Sequence, residues 1–422
     1  MKTKRLIILV LSCILAFSLV SCDILSIINP SETETESETE TKAKNETLSE
    51  SESESKSESD TEEDDETDTE TETEEIKEIV DMTYNVAESI DNIKTHGRTS
   101  LGDSGLFCDN VATGIEFNAY IEGDLTVKLT ISRGSVTTNG TVEKSLNDDC
   151  YFTLIIDGIR VEERIKAARS STSTLTLATF EEGGVHNVRL IKQTEPRNAL
   201  CCIETVSFKG YFEERPADNK YYLEFIGAST SCGYGNLTTV SSAAEAQKSV
   251  NQDSTQAFPY LTAQLLGADH SAIGASGIGL VRGFRPFNMP FMFGMDSAYR
   301  SQTEFHDPVR IPDAVIINLS GNDYSKGVTA DEWRAGAMSF IAQIRGVYGE
   351  DTPIIWIYAK ENTYFPTLTQ NIFNDLGGEE NGLYLCRTTN NTDGGNGHHS
   401  IAGQNVVAGE IAAFITEKNI LK

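Results

Sequence analysis

The sequence predicts an antiparallel β-sandwich followed by an α/β unit built on a parallel sheet flanked by helices. Three observations carry this. Between residues 80 and 215 apolar residues recur with period two and little helical signal. Beyond residue 220, apolar runs long enough to be buried on both faces alternate with helical periodicity. Between them Arg215-Pro216-Ala217-Asp218-Asn219-Lys220 interrupts the pattern with proline and polar residues. The expected organisation is 1–22 as an export signal, 23–79 as an acidic linker, 80–215 as the sandwich and 216–422 as the α/β domain.

The first 22 residues carry Lys2, Lys4 and Arg5, then an apolar segment from Leu6 to Val20, then Ser21-Cys22. So short an apolar stretch before a polar tail suits a secretory signal better than a membrane span. Leu19-Val20-Ser21-Cys22 also resembles the bacterial lipobox, which implies lipidation of Cys22 and a cell-surface lipoprotein outside a bacterium. From residue 24 to about 77 the chain is Ser, Thr and Glu with almost no large apolar residue after Ile28. Such a segment buries too little surface to offset its ordering entropy, and like charges extend it into a stalk. Much of the net charge of -30 is concentrated there: residues 31–75 carry -18, and residues 76–422 carry -14. No basic stripe exists to neutralise phosphates, which excludes nucleic acid as a partner.

In the sandwich, Ile115, Phe117 and Ala119 alternate with Glu116, Asn118 and Tyr120, and Leu125, Val127, Leu129 and Ile131 with Thr126, Lys128 and Thr130. Further strands are expected over 151–157, 174–179, 185–192 and 203–212. In the α/β part the pattern predicts strands at 222–226, 314–319 and 353–358, and helices at about 256–267, 332–348 and 402–417. On the helix at 332–348, Trp333, Met338, Ile341, Ile344 and Val347 are expected on one face. Cys108, Cys150, Cys201, Cys202, Cys232 and Cys386 fit no zinc spacing; an exported chain permits disulfides, and free buried thiols are equally compatible.

The chemistry is expected outside the carboxyl ends of the parallel strands. Residues 221–235 form an apolar run that stops at Gly227 and delivers Ser229 into a turn of small residues and glycines, a mounting that suits a nucleophile. Three further stretches stand at similar places: Ser276-Gly277-Ile278-Gly279, Ser320-Gly321-Asn322-Asp323 and Gly397-His398-His399-Ser400. Together they supply an alcohol, a base and donors for an oxyanion. Each also has a structural reading, as turn glycines, loop-capping Asn and Asp, or surface histidines. Tyr234, Tyr324, Phe365 and Trp333 lie near these loops or their helices. Sugars stack on aromatic faces, so Tyr324 and Phe365 are expected to line a subsite, and Trp333 to pack in the core.

At these residues the chain resembles the SGNH hydrolases, and more closely carbohydrate esterase family 2. The resemblance covers roughly residues 90–422 and rests on His96-Gly97-Arg98, the 225–235 run, Asn288-Met289-Pro290 and Asn322-Asp323-Tyr324. It implies a jelly-roll-like sandwich joined to an SGNH-type domain, with no metal or organic cofactor. It further implies Ser229 as nucleophile, its own N–H with the Gly277 N–H and the Asn322 amide as oxyanion donors, and His398 as base. Ala228 replaces the family's usual Asp and Ser320 its usual Gly. Gly395 stands where an Asp would orient the histidine, so either a main-chain carbonyl completes a dyad or Asp393 is the third member. His398 aligns with the family's histidine and His399 with its proline, and His399 remains the alternative base. The activity implied is removal of O-acetyl groups from plant polysaccharide such as xylan or mannan, by a monomer. The rivals are a general or lipid ester hydrolase on the same scaffold and a non-catalytic carbohydrate-binding surface protein.

Overall fold

The computed structural model describes residues 77–300 and 306–422. The expected signal, Cys22 and nearly all of the acidic linker lie outside the described residues.

Ten strands of the first region form one antiparallel sheet. Its centre is Gly114–Ser132, which pairs on one side with Ser171–Lys192 and on the other with Leu200–Phe212. The expected strands at 174–179 and 185–192 are one strand, because a register shift between Phe180 and Gly184 absorbs the Glu181-Glu182-Gly183 interruption as a bulge. Inward residues such as Phe117, Ile121, Val127, Phe152, Leu190 and Val206 fill a core of their own. Glu116, expected on the wet side of the alternation, is buried, because it accepts from His96 at 2.8 Å and Arg189 at 2.9 Å.

The second region holds a five-stranded parallel sheet in the order Ala268–Gly274, Tyr221–Gly227, Ala314–Asn318, Ile354–Ala359, Leu383–Thr388. Successive residues of each strand serve opposite cores. Val315, Ile317, Ile354 and Trp356 meet the helices Ala330–Tyr348 and Tyr364–Asp375, while Ala314, Ile316, Ile355 and Ile357 meet Phe258–Leu265 and Ile401–Glu417. That two-sided burial is why Ala314–Asn318 and Ile354–Ala359 read as apolar runs and Tyr221–Gly227 as one broken only by Glu224. Ala330–Tyr348 starts at a Thr329–Glu332 capping box. Its buried face is Trp333, Ala337, Phe340, Ile341, Ile344 and Tyr348; Met338, expected inside, is exposed because the stripe turns one position further round the helix. The edge strand Ala268–Gly274 carried no clear sequence signal, since Asp269, His270 and Ser271 hide a strand that is buried throughout. All six cysteines of the described residues are free and buried.

Polar contacts hold the two sheets together. Arg98, 4 % exposed, donates to Glu224 Oε1 at 2.9 Å, to the Tyr348 hydroxyl at 3.1 Å and to the Phe293 carbonyl at 2.6 Å. Glu224 lies on the strand that leads to Ser229, and Tyr348 donates to its other oxygen. The His96-Gly97-Arg98 segment therefore fastens one layer to the other. Arg98→Ala strands a buried carboxylate and is expected to cost about 3–5 kcal/mol, read from the urea unfolding midpoint; a midpoint shift worth under 1 kcal/mol contradicts this.

Candidate active site

Tyr221–Gly227 ends at a glycine for a steric reason: a Cβ there would stand 1.9 Å from Ser231 Oγ. The chain then turns tightly, and the Ser229 carbonyl accepts from both Cys232 N–H and Tyr234 N–H at 3.1 Å. Ser229 Oγ emerges at the carboxyl edge of the sheet, 2.8 Å from His398 Nε2. These groups are 169 residues apart in sequence.

His398 is set by the loop ahead of the last helix. Gly395 N–H donates to the Gly235 carbonyl at 2.8 Å and Asn396 N–H to the Val240 carbonyl at 2.7 Å, which ties this loop to the one that follows Ser229. The Tyr234 ring packs on the imidazole at 4.4 Å between centroids. His398 Nδ1 lies 3.2 Å from the Asn396 carbonyl, so Nδ1 carries the proton and Nε2 is left to accept from the Ser229 hydroxyl. Burial lowers the His398 pKa below the ordinary imidazole value, which favours the neutral ring.

Asp393, the reserve third member, does not contact His398 among the described residues. It is exposed and accepts from Asn391 Nδ2 at 3.0 Å, while the carbonyl of Asn396 holds the imidazole. His399 forms no bond to Ser229 within the described residues. Its Nδ1 is buried without a partner, and burial, with His398 alongside, lowers its pKa to about 4.

Asn322 opens a short helix, Gly321–Ser325, just past Ala314–Asn318. One hydrogen of its amide goes to the Ile278 carbonyl at 2.7 Å, leaving the other for a ligand. That bond places the Gly277 loop beside it. Gly277 has φ +87°, and a Cβ there would meet Arg285 Nε at 3.1 Å, so this position favours glycine on both counts. Asp323, fully buried, accepts from the N–H groups of Leu280, Val281 and Arg282 at 2.9, 2.8 and 3.1 Å and pins the far end of the loop. Ser320 has φ 164°, extended backbone that needs no glycine, and Ala228 packs against the apolar core.

Ser229, Asn322, His398 and His399 line one cavity of about 390 Å³, which Ser320, Asn362, Thr389 and Asn390 make polar. Tyr324 is 69 % exposed and sets its ring edge-on to Phe365. Phe365, expected in a subsite, is fully buried with its ring centroid 4.3 Å from that of Trp333. Its place on the inward stripe of Tyr364–Asp375 overrides its proximity to the loops in sequence. Among the described residues no group of three or more His, Cys, Asp or Glu is arranged to hold a metal ion.

No family model matches the chain. The cellulase/esterase CelE of Acetivibrio thermocellus is 27% identical over 202 residues, 44% of this chain and 23% of that protein. The acetylxylan esterase/glucomannan deacetylase of Cellvibrio japonicus is 27% identical over 198 residues, 44% of this chain and 52% of that protein. The chain thus matches about a quarter and about half of these curated relatives' lengths. A family two carbohydrate esterase of Clostridium thermocellum, solved with cellohexaose, superposes with TM-score 0.68 at 23% identity, covering 78% of this chain and all of that one. The resemblance to carbohydrate esterase family 2 is borne out: the chain has the SGNH-like fold of those enzymes, a parallel sheet with a separate antiparallel sheet region.

Proposed function

We propose that this chain is a carbohydrate O-acetyl esterase that works through a serine acyl-enzyme, with Ser229 and His398 as a dyad. The observation that carries the reading is the 2.8 Å contact of Ser229 Oγ with His398 Nε2 at the carboxyl edge of the parallel sheet. Ser229 Oγ attacks the acetyl carbonyl as its proton passes to His398 Nε2. The oxyanion is received by the N–H groups of Ser229 and Gly277 and the second hydrogen of the Asn322 amide. Collapse expels the sugar oxygen, which takes the proton back from His398; a water then repeats the sequence and frees acetate. The Asn396 carbonyl holds the tautomer, and Tyr234 the plane, of the ring.

The polar walls of the cavity suit sugar hydroxyls better than an acyl chain, which favours an acetylated polysaccharide of the xylan or mannan kind. Tyr324, exposed and in sequence between the lining residues Asn322 and Ser325, offers an aromatic face. The names of the curated relatives and the cellohexaose bound to the structural neighbour point the same way. We read the antiparallel layer, 80–215, as a jelly-roll-like sandwich and 216–422 as the esterase domain, held as a monomer at the outer surface of a bacterium through a lipid on Cys22.

Acetate release by the purified chain tests the activity. Acetylated xylan or glucomannan should yield acetate, and aryl acetate should be cut faster than aryl decanoate. A preference for decanoate points to a lipid ester hydrolase, and polysaccharide binding without acetate release to a non-catalytic protein. Asn322→Ala should lower kcat about 100-fold with KM little changed, the effect of losing one preorganised donor; a kcat within threefold of wild type removes Asn322 from the site.

A further inference from the structure

The loop that carries Gly277 is tethered by a carboxylate from the other sheet. The strand Ser171–Lys192 ends on Lys192 and the chain continues Gln193-Thr194-Glu195, four polar residues all fully buried. Glu195 Oε2 accepts the Ser276 N–H at 2.6 Å, and Oε1 accepts the Ser276 hydroxyl at 2.6 Å and Gln252 Nε2 at 3.3 Å. Ser276 is the residue before Gly277. Buried carboxylates are costly and persist where donors converge on them; here Ser276, next to the expected oxyanion N–H, supplies two of the donors, and the Cys232 thiol also bonds the carboxylate.

We propose that Glu195 is a positioning residue for the esterase reaction: it fixes Ser276, and through it the Gly277 N–H, in line with the carbonyl that Ser229 attacks. This rests on the proposed function. It also makes the antiparallel layer part of the catalytic apparatus, since one of its loops sets the aim of a donor in the α/β layer. Asp323 holds the loop at Leu280–Arg282, so Glu195 and Asp323 clamp it on either side of Gly277. Preorganised donors lose most of their value when displaced by about 1 Å, a shift that costs on the order of 100-fold in rate. The carboxylate charge is also felt at His398, where it favours the protonated ring that forms in the reaction. Lys192 and Arg197 are the basic groups of the same loop; Lys192 Nζ is spent on the Asp109 and Thr194 carbonyls at 2.8 and 2.6 Å, and Arg197 reaches Gln247 at 3.2 Å.

Steady-state kinetics on aryl acetate test this, with each variant's thermal midpoint measured alongside. Wild-type turnover tests the proposed function; the ratio of variant to wild type tests the inference. Ser276→Ala removes the hydroxyl tether without emptying a buried site, and should lower kcat about tenfold at unchanged KM and a nearly unchanged melting midpoint. Glu195→Ala should lower kcat about 100-fold at unchanged KM. Glu195→Gln, whose amide can accept from the N–H and donate to the hydroxyl, should restore kcat to within about tenfold of wild type. Wild-type kcat in Ser276→Ala, or Glu195→Gln as slow as Glu195→Ala, overturns the proposal.

Discussion

Ser229→Ala lowers kcat for acetate release by about 10⁴-fold or more, leaves KM within a few-fold, and leaves the fold intact. The size follows from what is lost. Without Oγ no acyl-enzyme forms, and the remaining rate is that of water attacking a carbonyl still held by the donors, a background seen when a catalytic serine is removed elsewhere. Binding survives because the groups that line the cavity are untouched. Stability survives because the hydroxyl is half-buried and its bond is to His398 rather than to the core. A kcat within tenfold of wild type would mean that another group attacks the ester.

His398→Ala falls by a similar factor, while His399→Ala stays within about tenfold. The two rings are neighbours in the chain, but only His398 Nε2 meets Ser229 Oγ, at 2.8 Å. The same pair fixes the pH response. A general base works in its neutral form, and burial holds the His398 pKa below the ordinary imidazole value. Activity therefore rises as pH rises through that lowered value, with a midpoint below the pH of about 6.5 at which an unperturbed imidazole is half protonated. Asp393→Asn should leave both the rate and this profile unchanged, because the Asn396 carbonyl holds Nδ1. A loss of 10³-fold or more in His399→Ala, or a midpoint moved by Asp393→Asn, would contradict the dyad.

The sequence carried much of this site because its chemistry sits at strand ends. Ser229 follows an apolar run broken only by Glu224, and Asn322 follows another apolar run, so the parallel sheet and its active edge are written in hydrophobic pattern. Other features have no such signature. The edge strand Ala268–Gly274 is buried by its neighbours despite polar residues, and Leu383–Thr388 is only partly buried. Phe365 and Met338 show the limits of proximity and of periodicity: one position along a helix decides whether a side chain meets the core or water. Glu195 was hidden for the opposite reason. A polar run after a strand reads as a solvated loop, and only the packing of one sheet on the other shows that it is buried and aimed at Ser276.

The account stands on Ser229 being a hydroxyl activated by His398. The most direct measurement is covalent capture: the purified chain is treated with a short-chain alkyl fluorophosphonate and the modified peptide is identified by mass spectrometry. One phosphonyl group per chain, carried on Ser229, formed at least 100-fold more slowly in His398→Ala and formed as fast in His399→Ala, is the predicted result. An adduct on any other residue, or none on a chain that releases acetate, contradicts it.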